Sequence, residues 1–497
     1  MRYKINTKLF LLFSLICLIA LIPRSIELFS RSNYFGSEQG VEYLVTKKIL
    51  IDHEIILTAH QGGLGGFLKP AGFNYLLATA FAVTSGNPFG GRVLMFLISM
   101  ITVIISFIVG ANLFSLRTAF FISFLLAISP NLSHYAGRIS PPFIIPLLTV
   151  LLILFFYKTL QGNKRFILPI AFTIGLTSHF EMATTGKLWA IFLVILFFLV
   201  IKKKIPFTFL FGSFLFFVLP LLPIFIFDLQ NNYFNIKGIL KLLSAGGNHA
   251  ISSSMPVLIN TLSNRLSVFN WNFQSTFSPH FLIWPVMLVG VYMGVFVYLK
   301  ENRKGSPEKY LVLFLSLIPV IEFIMLIFYP ENIVQWWLIE LTIAYCFLLG
   351  ILLNFFWRKN YLRIFIVVML CILFGSFALR TNALYKREFF YPLSVDSYVH
   401  ESEPINYIFQ DAKSQSFNIF VKSLNPQSNY EYLIWWYGTR AKRFPSREKA
   451  DVLYVLVEPD YIKNHKEFNM DSKDSILLDT KIFWSGFVVQ KRVYKKI

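Results

Sequence analysis

Charge is scarce in this chain. Only 14% of its 497 residues are Asp, Glu, Lys or Arg, against roughly a quarter in soluble domains. Acids are scarcer than bases, with 26 Asp and Glu against 46 Lys and Arg. With 56% hydrophobic residues and a mean hydropathy of +0.60, this excludes an ordinary soluble fold. Cysteine is nearly absent. Cys17, Cys346 and Cys371 all lie inside apolar segments, so they offer neither a disulfide framework nor a metal site. The chain lacks a Walker loop, a dinucleotide fingerprint, a His-Glu-x-x-His motif and a serine nucleophile elbow. Nucleotide-driven transport and zinc-protease chemistry are therefore without support. It also lacks internal repeats and low-complexity tracts.

The positive charge is spread over short loops between apolar segments. The clusters are Arg2, Lys4 and Lys8; Arg117; Lys158, Lys164 and Arg165; Lys202–Lys204; Lys300, Arg303, Lys304 and Lys309; and Arg358, Lys359 and Arg363. Lys and Arg beside spans mark the cytoplasmic side. The net charge of +20 is thus a topology signal, with no basic motif for nucleic acid.

A span needs about 20 apolar residues. Candidates lie near Leu9–Pro23, Val93–Phe114, Thr118–Pro130, Pro142–Tyr157, Phe166–His179, Leu188–Ile201 and Pro206–Phe227. Further ones lie near Phe281–Leu299, Tyr310–Phe328, Ile333–Phe356 and Leu362–Leu379. The segment Ala71–Ser85 is apolar but covers only about 22 Å at 1.5 Å per residue, so it reads as a juxtamembrane or re-entrant helix. The expected fold class is an all-α polytopic membrane protein of about 11 spans plus that helix. Its N-terminus is inside, and its outer loops lie at 24–92 and 228–280. After residue 380 the composition changes. Strand-like runs at Phe417–Val421, Val452–Val457 and Phe487–Val493 predict a small α/β extracytoplasmic domain over 381–497. The layout thus expected is a transmembrane domain over 1–380 and an outer domain over 381–497, in the inner cell membrane.

This topology collects the candidate chemistry on the outer face. The first outer loop holds Glu38, Asp52, His53, the glycine-rich Gly62–Gly66 and Lys69-Pro70. An acid at a membrane surface is a reasonable general base, and a lysine is a point charge for phosphate; an ordinary polar loop would look the same. Tyr135 and Arg138 follow an outer helix end, where Arg138 could bind phosphate bidentately or snorkel as an anchor. His179 and Glu181 flank another outer end, and Asp228 closes a later span. Glu322 and Glu340 lie within apolar segments, where a charge costs about 2.5–3.5 kcal/mol. They either line a polar crevice opening outward or are protonated or paired structural carboxylates. A divalent metal is left open: Asp52, His53 and the loop glutamates carry donor atoms, but their spacing defines no site.

In order along the chain, Ser37-Glu38-Gln39-Gly40, Lys69-Pro70, Ser129-Pro130 with Tyr135 and Arg138, Gly175-Leu176 with His179, and Phe227-Asp228 resemble one superfamily. It is the GT-C fold of lipid-phosphate-sugar-dependent glycosyltransferases, and within it the aminoarabinose-transferase and protein-mannosyltransferase-like group. The motifs cover roughly the first half of the chain. The resemblance implies a polyprenyl-phosphate sugar donor and a lipid, glycan or protein acceptor. Glu38 is implied as the catalytic acid position, with Lys69 and Arg138 at the donor phosphate. Tyr135, His179, Glu181, Asp228, Glu322 and Glu340 remain substrate-binding candidates. Ser37 stands where many relatives carry a second acid. The competing readings are a lipid or polysaccharide flippase, with polar residues at mid-membrane, and a polysaccharide polymerase or ligase.

Overall fold

The structure is a computed structural model. It describes residues 7–495 except 31–32, 62–67, 204, 239, 242–254, 278–283, 303–304, 330–331, 391–396, 425 and 465–474. In chain order, α1 (Thr7–Phe29), α2 (Ser37–Leu50), β1 (Thr58–Gln61), β2 (Leu68–Pro70) and α3 (Gly72–Thr84) come first. Then follow α4 (Pro88–Leu113), α5 (Leu116–Ile128), α6 (Pro130–His134), α7 (Ile145–Leu160), α8 (Ile167–Leu176), α9 (Met182–Ile201), α10 (Thr208–Val218) and α11 (Leu222–Gln230). The long helices end with α12 (Met255–Phe277), α13 (Trp284–Glu301), α14 (Pro307–Ile327), α15 (Ile339–Trp357) and α16 (Asn360–Phe390). Among the described residues, eight helices are long and apolar enough to cross a membrane, and α5 with α6, bent by 53°, is a broken span or a re-entrant loop that raises the number to nine if the pair crosses as one. The chain is an integral membrane protein. The two other expected spans are α8, lengthened by 3₁₀ turns at Lys164–Phe166 and Thr177–His179, and α13.

The chain divides into two compact units. The first comprises Met1–Leu28, Leu57–Phe73 and Val93–Ala383. Its central element is α15, buried continuously from Ile339 to Leu353. A helix apolar all round belongs inside, and here it packs on α5, α7, α12 and α14. Gly350 lets α15 approach α5, since a Cβ there would lie 2.5 Å from Ile122 Cγ1. Polar side chains tie the same bundle. Asn131 Nδ2 donates to Thr342 Oγ1 (2.8 Å), and Asn272 Nδ2 donates to the Leu338 carbonyl (2.9 Å). Such bonds within a membrane average about 0.6 kcal/mol each.

Two boundaries differ from the sequence-based expectation. The first span does not stop at Pro23 but runs to Phe29. Arg24, expected to open the outer loop, is fully buried. Its guanidinium donates to the carbonyls of Ala20 (3.0 Å), Ala127 (3.0 Å) and Leu126 (3.1 Å) and to Ser99 Oγ (2.9 Å). The orphan carbonyls at the end of α5 thereby stabilise a buried cation. The expected 228–280 loop contains α12, a 23-residue helix. Arg265 of α12 donates to the carbonyls of Leu326 (3.0 Å) and Tyr329 (2.6 Å).

The second unit comprises Phe29–Ile56, Asn74–Arg92 and Leu384–Ile497. Its sheet contains β3 (Phe417–Lys422), β4 (Val452–Val457), β5 (Ser475–Ile482) and β6 (Val488–Tyr494), in the order β3-β4-β6-β5. The β3–β4 pair is parallel and the others antiparallel. The helices α17 (Tyr398–Asp411), α18 (Ser428–Ala441) and α19 (Pro459–Asn464) complete the unit. Strands β3, β4 and β6 fall where the apolar runs predicted them. Strand β5 was not foreseen, because it is an edge strand whose apolar residues Ile476, Leu477, Leu478 and Ile482 stay exposed, so no inward-outward alternation marks it. α2 packs on α18 at Gly40, where a Cβ would lie 2.3 Å from the Asn429 backbone nitrogen. Phe35, Tyr43, Phe81, Tyr432 and Trp435 form an aromatic cluster, with Tyr43 and Tyr432 centroids 4.8 Å apart.

Candidate active site

In the first unit, Lys69 is the middle residue of β2, and the backbone on both sides of it is anchored. β2 pairs antiparallel with β1. On one side, the Leu68 N–H donates to Asn235 Oδ1 (2.5 Å). Asn235 is itself placed by Asp228, whose Oδ1 accepts the Asn235 N–H (2.8 Å) and whose Oδ2 accepts the Ile236 N–H (3.0 Å). On the other side, the Gly72 N–H donates to His179 Nδ1 (3.0 Å). A ring nitrogen that accepts is unprotonated, so the proton of the neutral imidazole sits on Nε2, which donates to the Pro220 carbonyl (2.7 Å). Gly72 is required there, since a Cβ would lie 2.2 Å from His179 Nδ1. Asp228 and His179, expected to touch substrate, thus have their polar atoms engaged in holding the lysine-bearing strand.

Arg138 follows the bend between α5 and α6. Pro130 occupies the first turn of α6, where its missing N–H costs nothing. A 3₁₀ turn at Tyr135–Gly137 follows, and the Arg138 N–H closes it onto the Tyr135 carbonyl (3.3 Å). The turn is fixed from two directions. His134 Nδ1 lies 3.1 Å from Glu27 Oε1, and Gly137 packs so closely that a Cβ would meet the Glu27 carbonyl oxygen at 2.5 Å. Tyr135 is buried, its ring stacked on Phe143 with centroids 3.8 Å apart. The Arg138 side chain is exposed. The arrangement is an exposed cation that follows a turn whose Tyr135 is buried against Phe143.

Glu181 is the N-cap of α9, and its Oε1 accepts the Ala183 N–H (3.3 Å). Burial pushes its carboxyl up to about 7, against the Ala183 hydrogen bond and the charges of Lys69 and Lys187, while Glu340 pushes it further up. Six residues along α9, Lys187 is buried and donates to Glu322 Oε2 (2.8 Å), Glu340 Oε1 (2.6 Å) and the Trp337 carbonyl (2.5 Å). Glu322 and Glu340 therefore do not line a polar crevice. Both are buried, and the cavity that Glu340 borders is otherwise walled by apolar chains such as Leu188, Ile191 and Phe314, with Thr149 at its edge. A cation from a third helix, rather than water, offsets their charge. Lys187 was the residue missed, because in sequence it only marks a loop end. Its signal was present: a lone cation entering an apolar helix needs an anion at the same depth.

Glu38 belongs to the second unit. Gly36 caps α2, with its N–H donating to Gln39 Oε1 (3.1 Å). An acid in the first turn suits the positive end of a helix. Gln39, Gly40, Tyr43 and Thr46 are buried, which leaves Glu38 exposed on the other face. The second acid of α2, Glu42, is buried and accepts from Asn74 Nδ2 (2.6 Å), tying α2 to α3. Asp52 pairs with Lys47 (2.8 Å). The glycine run 62–66 lies outside the described residues. Among the described residues no three His, Cys, Asp or Glu side chains converge as a metal site, so no step is assigned to a metal.

No protein-family model matches the chain, and a search of curated proteins finds no match. Solved structures do match. ArnT from Cupriavidus metallidurans bound to undecaprenyl phosphate aligns with a TM-score of 0.60 at 12% identity, over 98% of each chain. Its apo form gives 0.58. The Archaeoglobus fulgidus oligosaccharyltransferase in complex with Zn and sulfate gives 0.52 at 14% identity, over 87% of this chain and 62% of that one. The chain therefore has the GT-C fold over nearly its whole length.

Proposed function

We propose that this GT-C-fold chain is a membrane glycosyltransferase that moves a sugar from a polyprenyl-phosphate donor to an acceptor on the extracytoplasmic face of the inner membrane. The observation that carries this reading is the alignment over 98% of both chains with ArnT bound to undecaprenyl phosphate, together with a lysine strand anchored on both sides. In the proposed step Glu38 takes the proton of the acceptor hydroxyl or amine. The acceptor atom attacks the anomeric carbon from the face opposite the phosphate, and the bond from that carbon to the phosphate oxygen breaks. The lipid phosphate leaves as a dianion, and the anomeric centre inverts. Lys69 and Arg138 stabilise the charge growing on the leaving oxygen, the kind of aimed electrostatics that lowers such barriers most. Asp228 and His179 act through the Lys69 strand as positioning residues, and Tyr135 acts through the Arg138 turn. The 381–497 region and the 228–280 segment serve the acceptor. Glu322 and Glu340, the acids on which a flippase reading leaned, are paired with Lys187.

The test is transfer from a radiolabelled polyprenyl-phosphate sugar pool in membranes. Glu38→Gln should abolish transfer at unchanged expression. Lys69→Ala should lower it by about 100-fold or more, the scale of one lost transition-state contact. Full activity in both variants rules the assignment out. Modification of single cysteines placed in the Lys158–Arg165 and Arg358–Arg363 loops, reachable only from the cytoplasm, checks the sidedness.

A further inference from the structure

Strand β5 leaves apolar side chains in the open. Leu478 and Ile482 are exposed, Ile482 by 69%, and Trp484 just beyond the strand by 81%. Among the described residues β5 has one strand neighbour, β6, so its far edge carries no strand. An exposed apolar edge of this kind is a template for another strand. The direction of its backbone groups follows from the hairpin. The Phe483 N–H donates to the Phe487 carbonyl (2.9 Å), so Phe483 faces β6. Facing alternates along a strand, and the register with β6 is regular from Asp479 to Ile482. Asp479 and Lys481 therefore direct their backbone groups at β6, while Thr480 and Ile482 direct theirs at the open edge. There the Thr480 N–H donates to Oδ1 of the preceding residue, Asp479 (2.8 Å). The side chains of Asp479 and Lys481 are both exposed.

We propose that β5 pairs antiparallel with β5 of a second copy of this chain, about a two-fold at Thr480, so that the two sheets become one continuous sheet. Because Thr480 and Ile482 face the open edge, residues of that parity must oppose one another across the junction. Two-folds at Asp479, Thr480 and Lys481 all meet this condition, and the charges choose among them. A two-fold at Lys481 sets that lysine against itself, and one at Asp479 sets that carboxylate against itself. Like charges directly opposite are destabilising. A two-fold at Thr480 sets Asp479 of each copy opposite Lys481 of the other, so the favourable pair occurs on both sides of the axis. It also sets Ile482 opposite Leu478, so these exposed side chains cover each other. In a lone copy Asp479 covers the Thr480 N–H. In the pair Asp479 turns to Lys481 of the second copy, and the Thr480 N–H passes to the facing Thr480 carbonyl. Charge and backbone parity thus agree on one partner and one register. The pairing involves no covalent step and is independent of the proposed sugar transfer.

The experiment is disulfide trapping in intact membranes that carry the full-length chain, with Cys371, the exposed native thiol, replaced by Ser throughout. Opposed residues of a hydrogen-bonded pair have Cα atoms about 5.5 Å apart, within the roughly 4.4–6.8 Å that a disulfide spans. Mild oxidation of Thr480→Cys should therefore link two copies. Lys481→Cys meets its own counterpart only on the diagonal, at about 7–8 Å, and should link at least about tenfold less. Adding Lys481→Asp to Thr480→Cys reverses both cross-strand pairs and should cut trapping by about tenfold. Wild type needs no substitution for a second measurement: extracted from membranes into polymer discs, it should show two copies per particle by native mass spectrometry. One copy per particle overturns the pairing. So does a Thr480→Cys chain that fails to link or links no better than Lys481→Cys, and so does trapping that Lys481→Asp leaves unchanged. Two copies per particle without a Thr480→Cys link would place the contact away from β5 and likewise overturn it.

Discussion

Replacing Lys187 by Met tests the buried charge cluster in the first unit. The side chains are similar in length, so the change removes charge and leaves the space filled. Lys187 donates to Glu322, Glu340 and the Trp337 carbonyl, and neither acid has access to water. Glu322 Oε1 and Glu340 Oε2 already lack hydrogen-bond partners. Without the cation, at least one carboxylate must take up a proton in the folded state. For a glutamate with a reference value of about 4.3, that costs about 3.7 kcal/mol at pH 7 and about 1 kcal/mol at pH 5, at 1.36 kcal/mol per unit. The first figure falls within the roughly 3–5 kcal/mol measured when one partner of a buried pair is removed. The sign is fixed by linkage. In the variant the folded state binds a proton that the unfolded chain releases, so its stability is present at low pH and lost as pH rises. Denaturant unfolding in detergent at the two pH values, wild type beside Lys187→Met, should therefore show a deficit that shrinks by about 2.7 kcal/mol on acidification. Adding Glu322→Gln and Glu340→Gln should restore at least half of the loss at pH 7, since a neutral cluster needs no cation. A deficit under about 0.5 kcal/mol, or one independent of pH, would refute the reasoning, because surface-like sites behave that way.

Two further outcomes follow from the packing. Asp228→Asn places an amide N–H against one of the two backbone donors at Asn235 and Ile236. It should cost about 1–3 kcal/mol, with faster hydrogen exchange at Leu68, Asn235 and Ile236 read by mass spectrometry. Gly40→Val drives a side chain into backbone atoms of Ser428 and Asn429, which cannot move aside as a flexible side chain could. It should destabilise the second unit by about 1–3 kcal/mol, seen as a lowered unfolding midpoint, while Glu38→Gln, exposed on the same helix, should leave that packing intact.

Apolar segment length carried the membrane-spanning helices. Apolar segment length is set by bilayer thickness, and that constraint is written locally, so each expected span is helical in the structure. The three strands that bury an apolar face were legible for the same reason, while β5, which buries little, was not. Position along the chain likewise marked Lys69, Arg138, His179, Glu181 and Asp228 as worth attention. What these side chains touch was not legible. Asp228 and His179 spend their polar atoms on the backbone around Lys69, and Glu322 and Glu340 meet a lysine more than 130 residues away in sequence. The depth of Arg24 depended on carbonyls about 100 residues further on. Sequence determined which segments cross the apolar phase, because burial of apolar surface and satisfaction of backbone polar groups act within a segment. Only the tertiary structure decided which charges neutralise one another and which stay exposed, because a buried charge is stabilised by whichever helix packing brings within about 3 Å, and spacing along the chain does not encode that.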